Sequence, residues 1–531
     1  MTLPQLSPAD FLPLYPALIL TVGSVLLLLS EVFLRSPSRG YQPVLAVITA
    51  VLAGITAVQV SQEPAGPVFN GMAVLDPFSA TITAVVCLAL ALAVLISAPF
   101  LHDRGAERGE FYALMLFAAA GMSLLALSAE LITLFVSLEI LSVATYALTS
   151  YLRRGARHSE AGFKYFILGA FSSALLLYGA SLIYGATGST HLAQIAARLG
   201  EARAAQPGLV YCGVALVGAG FAFKVAAVPF HMWTPDVYEG APTPVTALMS
   251  AAVKASAFAA MIRVAVAFSH GLDPQSLVTF FSLLAVATMV LGNLIAIPQR
   301  NVKRMLAYSS IAHAGYLLVG VAALFGAPAA GHGTFDVLGA TPLLPVESYP
   351  LHSEALRAIF FYLLAYSVTS VGSFGILAAL ERREDENRGT AWDLERFAGL
   401  VHRRPGWAVT MAVFMLSLGG IPPTVGFMGK LLVFQSAIDA GLLGLVIVGA
   451  LTSAASVYYY LRVVVYMFMR PAPEGVELPT RRWPLELAVV ICTAAIFVWG
   501  ILPGRVLSKL NDSPLLPLGP SSPVQAQLLQ R

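Results

Sequence analysis

Long apolar runs, each able to cross a lipid bilayer, follow one another along almost the whole chain of 531 residues. A membrane-spanning helix needs about 20 mostly apolar residues, because its backbone polar groups must be satisfied within the helix. Only 11% of the residues are charged, whereas a soluble domain carries about a quarter. We therefore predict an all-α polytopic membrane protein. Its fourteen predicted transmembrane helices lie at 11–34, 42–61, 78–100, 111–128, 130–151, 161–186, 209–230, 243–268, 276–298, 304–325, 353–380, 405–437, 442–469 and 484–503.

Two of these helices carry internal breaks. The twelfth run is too long for one straight span, and Gly419-Gly420-Ile421-Pro422-Pro423 interrupts it. The seventh run contains Pro229, and proline removes a helix hydrogen bond and frees a carbonyl group. We therefore predict that helices 7 and 12 are broken.

A faint internal repeat relates the two breaks. Pro229 and Pro423 are 194 residues apart, and so are the pairs Glu160-Ala161 and Glu354-Ala355, which open helices 6 and 11. The pattern predicts two five-helix repeats, helices 4–8 and 9–13, the second inverted because five is an odd number. Inverted repeats with broken helices at matching positions indicate a transport site near the bilayer midplane. Chance similarity between apolar helices is the alternative.

This repeat divides the chain into four predicted units. They are helices 1–3 in residues 1–110, the first repeat in 111–268, the inverted repeat in 276–470, and the last helix with its tail in 471–531.

Positive charge in the loops predicts the orientation. Basic residues cluster after helices 1, 3, 5, 9, 11 and 13, while the main exception is the loop after helix 6, with Arg198 and Arg203. Because cytoplasmic loops are enriched in Lys and Arg, we expect both termini on the non-cytoplasmic side. The start of the chain has no basic region, so no cleavable signal peptide is predicted. The loop after helix 7 is acidic, with Asp236 and Glu239, and is therefore a candidate functional loop.

Four ionisable residues lie deep in the apolar runs. They are Glu139 in helix 5, Lys224 in helix 7, Lys254 in helix 8 and Lys430 in helix 12. A charge at the centre of a membrane helix costs about 2.5–3.5 kcal/mol, so each position needs a reason. Arginine keeps its proton, whereas a desolvated lysine can release one near neutral pH. The set predicts a proton relay; the alternatives are a glutamic acid and lysines that only bridge helices.

Three further residues are weaker candidates for the same relay. Lys164 lies near the cytoplasmic start of helix 6 and is a candidate for proton input. His231 and His313 titrate near neutral pH, and His313 lies between the two lysine-bearing halves. We predict His313 as a relay residue that connects the halves.

No motif on the chain predicts a redox cofactor or a metal. Cys87, Cys212 and Cys492 are isolated in apolar stretches, without iron–sulfur or zinc spacing. The chain also has no Rossmann glycine fingerprint and no haem motif. We expect the cysteines to be small buried side chains.

Two long motifs resemble a known family. Pro229-Phe230-His231-Met232-Trp233-Thr234-Pro235-Asp236-Val237-Tyr238-Glu239-Gly240-Ala241-Pro242-Thr243-Pro244-Val245-Thr246 and Tyr308-Ser309-Ser310-Ile311-Ala312-His313-Ala314-Gly315-Tyr316 resemble the antiporter-like subunits of respiratory complex I. The resemblance covers helices 4 to 13 well and the flanking helices loosely. The sequence around Asp236 is similar to that of the subunit N branch. A lysine rather than a carboxylate at position 430 is also similar to that branch.

This resemblance implies a function for the whole assembly. Such complexes couple NADH oxidation by quinone to proton pumping, so the chain would be part of an enzyme without carrying a redox centre. NADH, FMN, iron–sulfur clusters and quinone would be bound by partner subunits. The partners would be antiporter-like and small membrane-arm subunits in a prokaryotic inner membrane, with no nucleic acid. Glu139, Lys224, Lys254 and Lys430 fill the four family positions of the polar axis.

The predicted mechanism is electrostatic gating. Lys224 keeps its proton while ionised Glu139 is close, and releases it to Lys254, His313 and Lys430 when the pair separates. Protons would enter from the cytoplasm near the break of helix 7. Three alternatives stay open: a cation/proton antiporter subunit of the same fold, a purely structural membrane subunit, and the equivalent subunit of a photosynthetic or hydrogenase relative.

Overall fold

Long helices make up nearly all of the structure. The computed structural model describes residues 8–34, 40–152, 155–326, 353–382, 391–472 and 482–511. The helices are α1 (Tyr15–Phe33), α2 (Tyr41–Val60), α3 (Pro77–Asp103), α4 (Gly109–Leu127), α5 (Leu131–Thr149), α6 (Ala156–Thr187), α7 (Leu192–Ala205), α8 (Pro207–Val225), α9 (Trp233–Gly240), α10 (Thr243–Leu248), α11 (Lys254–Ser269), α12 (Pro274–Ala296), α13 (Val302–Ala323), α14 (Ser353–Leu380), α15 (Leu400–Arg403), α16 (Pro405–Gly419), α17 (Val425–Asp439), α18 (Leu443–Met469), α19 (Trp483–Ile501) and α20 (Gly504–Asn511).

The predicted polytopic helical fold is confirmed. Within the described ranges, thirteen helices are long and apolar enough to cross a membrane. The remaining predicted segment is the twelfth, which is broken and consists of the shorter apolar α16 followed by α17. Several loop arginines that predicted the orientation lie outside the described residues: Arg35, Arg39, Arg153, Arg154, Arg383, Arg388 and Arg481.

The break in the seventh segment begins earlier than the sequence predicted. Helix α8 ends at Val225, because Ala226 adopts the left-handed conformation with φ +62°, which costs a non-glycine residue roughly 1–2 kcal/mol. The freed backbone groups find partners: the Thr288 hydroxyl accepts a bond from the Val228 amide, and the Trp233 indole donates to the Phe223 carbonyl. These bonds let an irregular backbone persist between membrane helices.

The twelfth segment breaks in the same way. Helix α16 ends at Gly419, the left-handed Gly420 follows with φ +78°, and α17 begins at Val425. Ala226 and Gly420 are 194 residues apart, the same offset that separates the two prolines of the repeat pattern.

The eighth segment is buried along its whole length. Helices α10 and α11 are joined through a π-helical turn at Met249–Val253, immediately before Lys254. Such turns are rare and often occur at functional sites. The sequence predicted neither this turn, nor the connecting helix α7, nor the small antiparallel hairpin of β1 (Gly66–Val68) and β2 (Ala73–Leu75).

A buried ion pair ties the N-terminal helices to the first predicted repeat. The Arg263 guanidinium donates to both carboxylate oxygens of Asp76, at 2.9 and 3.1 Å, and both side chains are fully buried. Asp76 also caps α3 by accepting a bond from the Ser79 amide at 2.8 Å. Arg263 therefore has a structural role inside the protein and does not reach the membrane surface.

Candidate functional site

Lys224 lies in the last turn of α8, just before the break. Its amine donates a hydrogen bond of 2.6 Å to the Ser142 hydroxyl on α5. The Tyr146 ring lies 5.6 Å from the same nitrogen, so an aromatic face adds weak support for a positive charge.

Glu139 lies one helical turn before Ser142 on α5 and is half-buried. Its carboxylate accepts a hydrogen bond of 2.5 Å from the Ser173 hydroxyl on α6. Within the described part of the chain, no ion pair joins Glu139 to Lys224. Glu139 and Ser142, the partner of Lys224, therefore lie on neighbouring turns of α5, and the two charged groups have separate partners.

Lys254 follows the π-helical turn and is almost fully buried. Its amine donates to the backbone carbonyl and the hydroxyl of Ser310 on α13, at 2.5 and 2.6 Å. The Tyr366 ring of α14 lies 5.1 Å from the nitrogen.

Lys430 lies on α17 and points back into the second break. Its amine donates to the carbonyl oxygens of Leu418 and Gly419, at 3.0 and 3.1 Å, and to the Ser453 hydroxyl at 2.8 Å. The two carbonyls are available because α16 ends there and leaves its last carbonyl groups without helical partners. The break therefore supplies the oxygen ligands of this lysine.

His313 lies on α13, three residues after the partner of Lys254. Its Nδ1 is hydrogen-bonded to the Tyr362 hydroxyl at 2.7 Å and its Nε2 to the Tyr460 hydroxyl at 3.2 Å. The imidazole lies 4.9 Å from the Tyr366 ring, which Lys254 faces, and 5.7 Å from the Tyr316 ring, which Lys430 faces.

The three buried amines share one chemical property. Their side chains are 2–5% exposed, and every hydrogen bond they make goes to a hydroxyl or carbonyl oxygen. Among the described residues, none of the three forms an ion pair with a carboxylate. A buried charge without a counter-ion is expensive, so these three amines differ from Arg263, whose charge is paired with Asp76.

Lys164 belongs to a different cluster, at the end of the molecule predicted to face the cytoplasm. Its amine pairs with Glu160 at 2.7 Å and with Asp236 at 2.8 Å. Arg304 bridges Asp236 and Glu239 of the acidic loop, at 2.8 and 2.9 Å. Burial alone would raise the pKa of Asp236, but the hydrogen bonds from Lys164 and Arg304 prevail and lower it below its usual range.

His231 lies in the first break, half-buried, and its Nδ1 atom has no hydrogen-bond partner among the described residues. The structure does not bring it into hydrogen-bond contact with the buried lysines. No group of three or more His, Cys, Asp or Glu side chains that could hold a metal ion occurs in the described ranges.

Sequence reasoning missed the hydroxyl partners of the relay candidates. Ser142, Ser310 and Ser453 bind the three amines, while Tyr362 and Tyr460 bind the histidine. Serines and tyrosines are common in membrane helices, so only their helical spacing from the lysines on neighbouring helices could have singled them out.

Known proteins match the chain over most of its length. A family model described as NADH:quinone oxidoreductase/Mrp antiporter, TM, matches residues 128–332 and 350–456. NADH-quinone oxidoreductase subunit N of Myxococcus xanthus is 66% identical over 97% of this chain and 99% of its own length. A chain of respiratory complex I from Thermus thermophilus, solved with bound aureothin, is 34% identical with a TM-score of 0.74, over 94% of this chain and all of its own. A chain of the Mrp complex from Dietzia has a TM-score of 0.79 at 22% identity, covering 98% of this chain and all of its own, and shares the fold.

Proposed function

Because the chain belongs to the NADH:quinone oxidoreductase/Mrp antiporter membrane family, and within it to subunit N, we propose that it moves protons through its buried lysines. It is a membrane-arm subunit of NADH:quinone oxidoreductase, an enzyme that it forms together with other subunits. Its place is a bacterial membrane, which it crosses many times.

One observation carries the proposal. Lys224, Lys254 and Lys430 are each buried and bound only by neutral oxygen atoms. A lysine that only bridged helices would be expected to have a carboxylate partner, as the structural Arg263 has Asp76. Amines without counter-ions can instead change protonation state during turnover.

The relay begins with Glu139 and Lys224. When the carboxylate approaches the amine it stabilises the protonated form, and when it withdraws to Ser173 that support is lost. The proton then passes from Lys224 to Lys254, next to His313 and finally to Lys430. Lys164 delivers protons at the cytoplasmic end, and His231 assists at the first break.

Two inverted five-helix repeats, formed by the predicted transmembrane helices 4–8 (residues 111–268) and 9–13 (residues 276–470), build this axis. The left-handed residues Ala226 and Gly420 close the first half of each broken helix at the common offset of 194, which supports the repeat. Lys224 precedes its break and Lys430 follows its own, so the breaks hold lysines in both halves. Both chain termini face the non-cytoplasmic side.

The energy for transport comes from partner subunits. NADH, FMN, iron–sulfur clusters and quinone are bound there, and this chain contributes the proton path. The driving event reaches the chain as a displacement of Glu139 relative to Lys224.

Substitution of a relay lysine in the assembled complex tests the proposal. Lys254→Met removes the titratable amine, and proton pumping in proteoliposomes should be lost while the complex still assembles. The control is Ser256→Ala on the same buried helix, because the Ser256 hydroxyl donates to the nearby Val253 carbonyl, and this variant should pump normally. Normal pumping by the assembled Lys254→Met complex would refute the relay and favour a purely structural subunit.

A further inference from the structure

A histidine held between two tyrosine hydroxyls lies midway along the proposed path. His313 Nδ1 is 2.7 Å from the Tyr362 hydroxyl on α14, and Nε2 is 3.2 Å from the Tyr460 hydroxyl on α18. All three side chains are buried. The two ring nitrogens are therefore both engaged, each by a group that can donate or accept a proton.

The chemistry of imidazole makes this arrangement directional. A neutral imidazole has one N–H donor and one acceptor nitrogen, so one tyrosine donates to the ring while the other accepts from it. Exchanging the two roles requires the ring to change tautomer and both hydroxyl hydrogens to move. The three side chains thus have two complete hydrogen-bonded states that differ by the position of protons.

Each tyrosine hydroxyl also lies near residues that neighbour the binding site of one buried lysine. The Tyr460 hydroxyl is 2.5 Å from the Ser309 hydroxyl, and the next residue, Ser310, binds the amine of Lys254. The Tyr460 hydroxyl therefore connects the histidine to the helical turn of α13 that holds this lysine.

A small cavity lies on the Tyr362 side. It has about 10 Å³ of room for the centre of a water molecule, and His313, Tyr362, Thr369, Ser417 and Leu418 are among its lining residues. This is about the minimum that one water needs, and hydroxyl groups are present to bind it. The Leu418 carbonyl accepts a bond from Lys430, so a single water in this cavity would lie next to the site of Lys430.

We propose that Tyr362 and Tyr460 are proton-relay residues that pass a proton through His313 from the Lys254 side to the Lys430 side. The inference rests on the proposed function, since it assigns the connection between two of its lysines. The Ser309 hydroxyl gives its proton to Tyr460 and regains one that the Lys254 ammonium releases, while Tyr460 gives its own proton to Nε2. The ring releases the proton on Nδ1 to Tyr362, which passes one to the water beside Lys430. The hydroxyl hydrogens and the ring tautomer then return before the next proton, and no net charge remains on either tyrosine.

Removal of single hydroxyls tests the assignment in the assembled complex. Tyr362→Phe and Tyr460→Phe keep both rings, and each should slow proton pumping in proteoliposomes about 100-fold, the lower end of what a positioned proton-transfer group contributes. The matched control is Tyr112→Phe, since the Tyr112 ring is fully buried and its hydroxyl makes no hydrogen bond with the described residues. This control should pump at a rate near that of the unsubstituted complex.

A second measurement separates a relay from a hydroxyl that merely holds the ring. Replacement of Tyr460 by 3-fluorotyrosine keeps the hydrogen bonds but makes the hydroxyl more acidic, so the alkaline limb of the pumping profile should move to lower pH. This variant also covers the case in which a phenylalanine variant does not assemble.

The outcomes distinguish this inference from its premise. If both Phe variants pump normally, or the fluorotyrosine profile does not move, while Lys254→Met is blocked, the tyrosine relay is wrong and the lysine relay stands. If Lys254→Met also pumps normally, the lysine relay itself is wrong and this assignment fails with it.

Discussion

Lys224 contacts α5 one helical turn away from Glu139: its amine donates to the Ser142 hydroxyl at 2.6 Å, and the glutamate precedes that serine by three residues. Residues three apart on a helix lie on the same face, so a small displacement of α8 along α5 would exchange a hydroxyl partner for a carboxylate partner. This geometry is what electrostatic gating of the amine requires.

The charge of Glu139 should matter more than its hydrogen bond. Glu139→Gln keeps a group that can accept from Ser173 but removes the negative charge, and pumping by the assembled complex should fall about tenfold, equivalent to about 1.4 kcal/mol of lost interaction. Ser173→Ala, which removes the hydrogen bond and keeps the charge, is the comparison and should have a smaller effect. Equal losses in both variants would show that the bond, not the charge, is what matters.

The glycine at the second break should be required for Lys430. A Cβ at Gly420 would lie 2.9 Å from Lys430 Cδ, and the φ of +78° is unfavourable for alanine by roughly 1–2 kcal/mol. Gly420→Ala should therefore displace the amine from the Leu418 and Gly419 carbonyls and lower the pumping rate. Gly406→Ala provides the control on the same helix, since no atom lies near its Cβ position. Pumping that is lowered no more by Gly420→Ala than by the control would count against this role of the break.

The buried pair of Arg263 and Asp76 should be a determinant of stability. Arg263→Ala removes the charged partner of a fully buried carboxylate, a loss of about 3–5 kcal/mol, and thermal unfolding in detergent should occur at a clearly lower temperature. The exposed pair of Arg482 and Asp103 offers the comparison, where Arg482→Ala should cost only about 0–1 kcal/mol. Similar shifts in the two variants would contradict the structural role of the buried pair.

Asp236 should make stability sensitive to acid. Its pKa in the folded protein is lowered by Lys164 and Arg304 against the opposing effect of burial, so its contribution is fully present above its ordinary pKa of about 3.9 and is lost as pH falls through the folded value. Asp236→Asn should therefore lower the unfolding temperature at neutral pH, and the difference from the unsubstituted chain should shrink on acidification. Glu63→Gln, which changes an exposed carboxyl group, should show neither effect.

Hydropathy alone predicted most of the fold. The eleventh predicted helix, 353–380, coincides with α14, and the Gly/Pro pattern located the break between α16 and α17. The first break began four residues before Pro229, since Ala226 rather than the proline ends α8. A non-glycine residue in the left-handed conformation is fixed by tertiary contacts, so the local sequence gives no signal for it.

The site was only half predictable. Charges in apolar segments stand out by their cost, which is why Glu139 and the three lysines could be named. The partners of these residues are hydroxyl and carbonyl groups on other helices, such as Ser310 and Leu418. Their positions depend on helix packing and on a broken helix end, which one sequence does not specify. The partner of Arg263 could not be named for a similar reason, as Asp76 lies 187 residues away.

Proton pumping by the assembled Lys430→Arg complex tests the central claim most directly. Arginine keeps a positive charge near the Leu418 and Gly419 carbonyls but does not release its proton. A relay lysine must release one, so the account predicts that NADH-driven pumping into proteoliposomes is lost although the complex assembles. Pumping at the unsubstituted rate would show that position 430 needs only a fixed positive charge, and it would contradict the relay.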